Sequence, residues 1–150
     1  MELKKLMVDS KSVWMDFPGL EGFSVEVANL SRKELTILRK KCTSQKFDRK
    51  TRQLTENLDE EKFVIEFSKA SVKNWKGLTI DHLETLILID SSEQEGTAEV
   101  SYSQENAEVL VQNSTEFDTW LNEVVFDLDN FRGGRKETSP KPTRKVSTES

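Results

Sequence analysis

Two short stretches near the N-terminus alternate apolar and polar positions. Val13, Met15 and Phe17 form one set, Phe23, Val25 and Val27 the other, and Pro18-Gly19 breaks the chain between them. Period-two spacing around a Pro-Gly break predicts a pair of strands forming a β-hairpin. Ser31-Arg32-Lys33-Glu34 is a capping box: the Ser hydroxyl accepts from a first-turn amide and the Glu carboxylate reaches back. It predicts a helix to about Thr43, with Leu35, Leu38 and Cys42 on its narrow inner stripe and Ile37 off that stripe. Residues 47–57 are polar and turn-rich, a loop or a weak strand. Asp59 is placed to cap a helix over roughly 60–74, with Phe63, Val64, Phe67 and Ala70 on one side and Ile65 and Val72 on the other. Apolar residues on both sides suit a central helix. Trp75-Lys76-Gly77-Leu78 then reads as a helix stop with the indole folded onto the core.

Past this point the pattern is helical again. Thr79 is placed to cap a helix over 80–89, where Leu86-Ile87-Leu88-Ile89 is also compatible with a strand. Residues 91–97 form an acidic loop, and Glu99 to Tyr102 a short extended stretch. Ser103 caps a helix to about Gln112, and Ser114 caps a last one over roughly 115–130. In that last helix Phe117, Trp120, Leu121, Val124, Val125, Leu128 and Phe131 fall within about 140° of one another. Burying such a face contributes roughly 1.5–3 kcal/mol per large side chain. Phe126 sits about 180° from the centre of that stripe. It is either covered by another element or presented to a partner. The elements together describe an α+β fold, mainly α, with about five helices and a short N-terminal hairpin.

Charge changes this picture in two places. The chain has 150 residues and a formal net charge of −5, but the last 19, from Arg132 on, carry six basic side chains against Glu137 and Glu149. With Gly133-Gly134, Pro140, Pro142 and a single aliphatic residue, Val146, this tail cannot offset its ordering entropy by burial. The expected division is a compact domain over residues 1–131 and a disordered basic tail over 132–150. The second basic concentration is internal: residues 32–52 hold nine Lys or Arg, Arg39, Lys40, Arg49 and Lys50 among them, against Glu34 and Asp48. The rest of the domain is correspondingly acidic. A molecule polarised in this way favours oriented association, with its own copies or with a charged partner.

Composition excludes several kinds of chemistry. One cysteine, Cys42, and one histidine, His82, leave no disulfide framework, no multi-cysteine zinc site and no histidine-based catalytic set. No phosphate-binding glycine loop, nucleophile elbow or HExxH occurs. The run Asp59-Glu60-Glu61 suits a helix N-terminus rather than acid–base catalysis. The longest strongly apolar run, Leu86 to Ile89, is far short of the roughly 20 residues that span a bilayer. No secretory signal pattern opens the chain. The expectation is therefore a non-enzymatic, non-membrane protein without cofactor or metal, working in a reducing cytoplasm. Nucleic-acid binding through residues 32–52 and the tail is disfavoured by a pI near 5.1 and by the lack of aromatic residues interleaved with the cations, Phe47 apart.

In order along the chain stand a β-like segment, a basic helix, a helix running into Trp75-Lys76-Gly77-Leu78, a helix start at Tyr102-Ser103-Gln104-Glu105-Asn106, and an aromatic helix from Phe117 to Phe131. This ordered set, spanning most of residues 22–131, resembles phage tail assembly chaperones. The resemblance implies a protein of the infected bacterial host's cytoplasm that coats the tape measure protein before the tail tube polymerises, and that is absent from the mature virion. It also implies a possible longer form made by ribosomal frameshifting, whose extra domain recruits the tail tube protein; Gly133 stands where that branch would fall. On this reading Phe126 and Ile37 are the expected client contacts. Arg39, Lys40, Arg49 and Lys50 are the expected cationic contacts, including self-association against the acidic half of a neighbouring copy. The alternatives are a structural tail or head–tail component retained in the virion and a small nucleic-acid-binding regulator.

Overall fold

The computed structural model describes residues 2–7 and 11–132. Strands β1 (Ser12–Asp16) and β2 (Ser24–Ala28) pair antiparallel, with Val13 opposite Val27 and Met15 opposite Val25. They form the expected N-terminal hairpin, closed by Phe17 N–H donating to the Phe23 carbonyl at 2.9 Å. A third strand, β5 (Val72–Lys76), pairs with the other edge of β2, so β2 is central. Alternation then sorts the faces. Val25, Val27 and Trp75 are buried, whereas Trp14, Glu26 and Asn74 lie in register on the outer face. There the Lys76 ammonium sits 4.8 Å from the Trp14 ring centroid.

β5 corrects the expected helix over 60–74. Helix α3 (Glu60–Ser71) begins where Asp59 accepts from Lys62 N–H at 3.1 Å, but the backbone turns extended at Val72. The open edge of β2 decides this. Pairing satisfies backbone groups that would otherwise be unpartnered, and it places β-branched Val72 and Trp75 on the buried side of the chain. Trp75-Lys76-Gly77 is thus the end of a strand and not of a helix. The indole does fold onto the core, donating Nε1–H to the Val100 carbonyl at 2.8 Å.

The capping box at Ser31 is formed, with Glu34 N–H to Ser31 Oγ at 3.1 Å and Ser31 N–H to the Glu34 carboxylate at 2.9 Å. It starts helix α2 (Arg32–Lys41). Its expected extension to Thr43 is cut short because Thr43 opens a second hairpin, β3 (Thr43–Asp48) with β4 (Gln53–Leu58). The stretch over 47–57 is therefore strand-forming, and its near-total exposure explains its polar composition.

Helix α4 (Ile80–Leu86) is capped by Thr79, and the ambiguous run after it resolves into extended chain, with Ile87 at φ −142 and Leu88 wholly exposed. Helices α5 (Gln104–Asn113) and α6 (Thr115–Val125) share Ser114, the C-cap of one and N-cap of the other. The last helix is shorter than its periodicity predicts. It ends at Val125, a 3-10 turn over Leu128–Phe131 follows, and Leu128 leaves the stripe for solvent while Phe131 stays buried. A four-residue helix, α1 (Leu3–Leu6), precedes the first strand with its side chains exposed. Among the described residues the fold is thus a mixed α+β arrangement of six α-helices and two small antiparallel sheets. It carries more strand than the expected mainly-α layout of five helices and one hairpin. The expected basic tail lies, from residue 133 on, outside the described residues.

The buried face of the three-stranded sheet meets α6. Phe17 packs edge-on to Trp120 with centroids 4.9 Å apart and stacks on Phe117 at 5.9 Å. Asn29 Nδ2 donates to the Val125 carbonyl at 3.1 Å, fastening the sheet to the end of α6. The same core cluster takes in Phe67 of α3, Leu86 of α4 and Leu110 of α5.

Candidate functional site

The motifs that carried the family resemblance turn out to be joined. Tyr102 meets Trp75 edge-on at 5.3 Å, and its hydroxyl donates to the Val72 carbonyl at 3.2 Å. Ser103 accepts from Asn106 N–H at 3.0 Å, and Asn106 Nδ2 donates to the Ser101 carbonyl at 3.0 Å. Through Tyr102 they fasten the start of α5 to β5. Gly77 has φ +76 and lies against the backbone of Gly22, so no Cβ fits there. His82 Nδ1 stands 3.3 Å from Thr79 N–H and 3.0 Å from the Gly77 carbonyl, with its ring stacked on Phe23. It serves as a helix cap. Cys42 is buried, and burial pushes its thiol up, away from the reactive thiolate. Among the described residues no group of three or more His, Cys, Asp or Glu side chains is arranged to hold a metal ion. Among the described residues no helix is long and apolar enough to cross a membrane.

The six candidate residues fall in three places: an aromatic ladder, the outer face of α2 and the turn of the β3–β4 arm. Phe126, at the C-cap of α6, is 41% exposed, with one ring face stacked on Phe67 at 6.1 Å. Phe67 stacks in turn on Phe63 at 6.1 Å, and the Arg39 guanidinium lies 5.6 Å from the Phe63 centroid. Arg39 and Phe126, 87 positions apart in the sequence, therefore stand at opposite ends of one aromatic ladder. Its central ring, Phe67, is buried, and its outer members are partly open. Stacked and cation–π geometry gives each contact roughly 0.5–1 kcal/mol. Beside the ladder, Lys41 Nζ donates to the Glu66 carboxylate at 2.9 Å, holding α2 to α3. That hydrogen bond draws the Glu66 carboxyl below its ordinary range and raises the Lys41 ammonium.

Ile37 does not join the ladder. It is 57% exposed on α2, between Lys33 and Lys40 at helical spacing on the outer face. Arg49 and Lys50 lie further away, in the turn that closes the β3–β4 arm, where Lys50 N–H donates to Asp48 Oδ1 at 2.8 Å. The arm carries an apolar pair that periodicity alone did not single out: Phe47 and Leu54 face each other across the hairpin, 58% and 66% exposed. The cue was available in Phe47 and Leu54 standing as isolated apolar residues in a polar stretch, but only the strand register puts them on one face. Phe63 and Phe67 were legible as an inner face of α3; their alignment with Phe126 depends on how α3 and α6 meet. A groove of about 490 Å³ opens between the first turn of α3 and the α5–α6 junction, with Glu60, Glu61 and Asp118 around Val64 and Val111. Burial there pushes the Asp118 carboxyl up. No protein-family model, curated protein or solved structure matches this chain.

Proposed function

We propose that this chain is a tail assembly chaperone of a long-tailed bacteriophage, binding the tape measure protein in the host cytoplasm before tube assembly and leaving no copy in the mature virion. The observation that carries the reading is the aromatic ladder Phe63–Phe67–Phe126, apolar and partly open at Phe126, with Arg39 at its far end. A coat for a long helical client needs repeated apolar contacts and a charged rim rather than a reaction centre, and the ladder supplies both. Support also comes from the coupling of two of the resembling motifs, since Tyr102, at the start of the Tyr102–Asn106 segment, packs on Trp75. Ile37, flanked by lysines, is a second apolar contact on the same basic helix. A frameshifted longer form would carry the link to the tail tube protein.

Co-expression with the tape measure protein and affinity recovery tests this. Phe126→Ala removes the open ring while leaving Phe67 in place, so client recovery is expected to fall severalfold with the far-UV circular dichroism unchanged. Recovery equal to wild type sinks the ladder as the client surface. Mass spectrometry of purified particles checks the rest: the chain present at stoichiometric level would make it a structural tail or head–tail component instead.

A further inference from the structure

The β3–β4 hairpin is an unusual element to leave uncovered. Among the described residues its sheet contains only these two strands, so neither outer edge has a strand partner there. From Ser44 to Asn57 every residue is exposed, including the facing pair Phe47 and Leu54. An isolated two-stranded ribbon is marginally stable in water and gains from being covered. Strands of six residues, at about 3.4 Å per residue, carry the tip about 20 Å from its root. The tip is cationic: Lys46, Arg49, Lys50 and Arg52 outnumber Asp48 and Glu56.

A surface of the opposite character lies at the root. The arm ends at Leu58, and Glu60 and Glu61 immediately beyond it belong to the groove with Asp118. Three carboxylates and the neutral polar Gln112, Asn113 and Thr115 line this groove around Val64 and Val111, with no Lys or Arg among the described residues that line it. Cations around an apolar pair thus match carboxylates around Val64 and Val111. With the tip held about 20 Å from its own root, the match is not made within one chain.

We propose that the β3–β4 arm of one copy docks into the acidic groove at the arm root of a second copy. In this arrangement the contact is heterologous, one copy's tip on the next copy's root, so a docked pair keeps one free tip and one free root. Copies then chain head to tail with a repeat of about one arm length, and the array stays open. This gives a structural form to the self-association expected from the charge polarity of the chain, and rests on the assembly role proposed above only for its purpose. It is tested on the chain alone, without client.

Sedimentation velocity across a wide concentration range, in low and high salt, is the experiment. Wild type is expected to form species of at least twice the monomer mass that grow with concentration and dissociate in high salt. The tip variant Arg49→Ala/Lys50→Ala and the root variant Glu60→Ala/Glu61→Ala are each expected to remain monomeric. Mixed in equal amounts they are expected to give a one-to-one heterodimer and nothing larger, because only one intact tip and one intact root remain. A wild-type chain that stays monomeric throughout, a closed dimer that does not grow, or a tip or root variant assembling like wild type would each overturn the proposal. A chain that recovers the tape measure protein while staying monomeric fails this inference alone; one that polymerises but ignores the client fails only the chaperone reading.

Discussion

Gly77 is the most exposed to a single added methyl group. A Cβ at this position would stand 1.9 Å from the Gly22 carbonyl oxygen and 2.8 Å from its carbon. Both are backbone atoms of the β1–β2 connection and cannot rotate away as a side-chain tip would. Gly77→Ala therefore forces that connection outward, on a segment continuous with fully buried Phe23. Two costs add. The left-handed backbone, φ +76, is worth roughly 1–2 kcal/mol for a residue with a Cβ. Overpacking against neighbours that must shift costs roughly 1–3 kcal/mol more. A total loss of about 2–5 kcal/mol is a large share of the roughly 5–15 kcal/mol that holds a domain of this size. The control lies across the same contact: Gly22 has φ +87 but nothing within 4 Å of its added Cβ. Gly22→Ala should pay the backbone cost alone. Urea titrations followed by tryptophan fluorescence, with Trp75 two residues away, measure both. Gly77→Ala is expected to lose at least about 1 kcal/mol more than Gly22→Ala. Equal losses would show that the close approach of the two glycines carries no energy and would refute the reasoning.

Two further perturbations probe the caps and charges. Ser114 is buried, and its hydroxyl accepts from Phe117 N–H at 3.1 Å at the joint between α5 and α6; Ser114→Ala leaves that amide unpaired and should cost about 1–2 kcal/mol in chemical denaturation. An unchanged midpoint would mean the joint is held by packing alone. The Glu66 carboxyl lies below its ordinary range in the folded chain because of its hydrogen bond to Lys41. Its contribution is accordingly present above the unfolded value of about 4.3 and lost as pH falls through the folded one. Glu66→Gln should be less stable than wild type at neutral pH, the difference closing as pH falls through the folded-state value. A gap that persists in acid, read from urea midpoints against pH, would make the contact one of shape and not of charge.

Most of what was legible in the chain was local. The caps at Ser31, Asp59, Thr79, Ser103 and Ser114 all form with the partners their spacing implies, because a cap involves only a side chain and an amide three residues on. The alternation at 13–17 and 23–27 likewise needs only one buried sheet face to read correctly. Errors arose where two states were locally acceptable. Val72 continues the apolar pattern of α3, yet Val72 to Lys76 pairs with β2 instead. Residues 43–58 have too few apolar positions to announce strands, since the arm buries almost nothing within its own chain. The periodicity of the last helix runs on to Phe131, but the chain turns after Val125 and rejoins the core through Phe131 alone.

The candidate surfaces divide in the same way. Sequence alone determined that Phe126 lies off the apolar stripe, that residues 32–52 concentrate positive charge, and that the chain holds one cysteine and one histidine. It determined these because composition and helical phase belong to the chain itself. Only the tertiary structure decided that Phe126 stacks on Phe67, that Arg39 closes the other end of that ladder, and that the basic segment divides between a helix and an extended arm. It likewise decided that Gly77 is required by Gly22, 55 positions earlier in the chain. Each of these depends on contacts between residues far apart in sequence. Their energies are set by how α2, α3, α6 and the three-stranded sheet pack, and no short window of residues contains that packing.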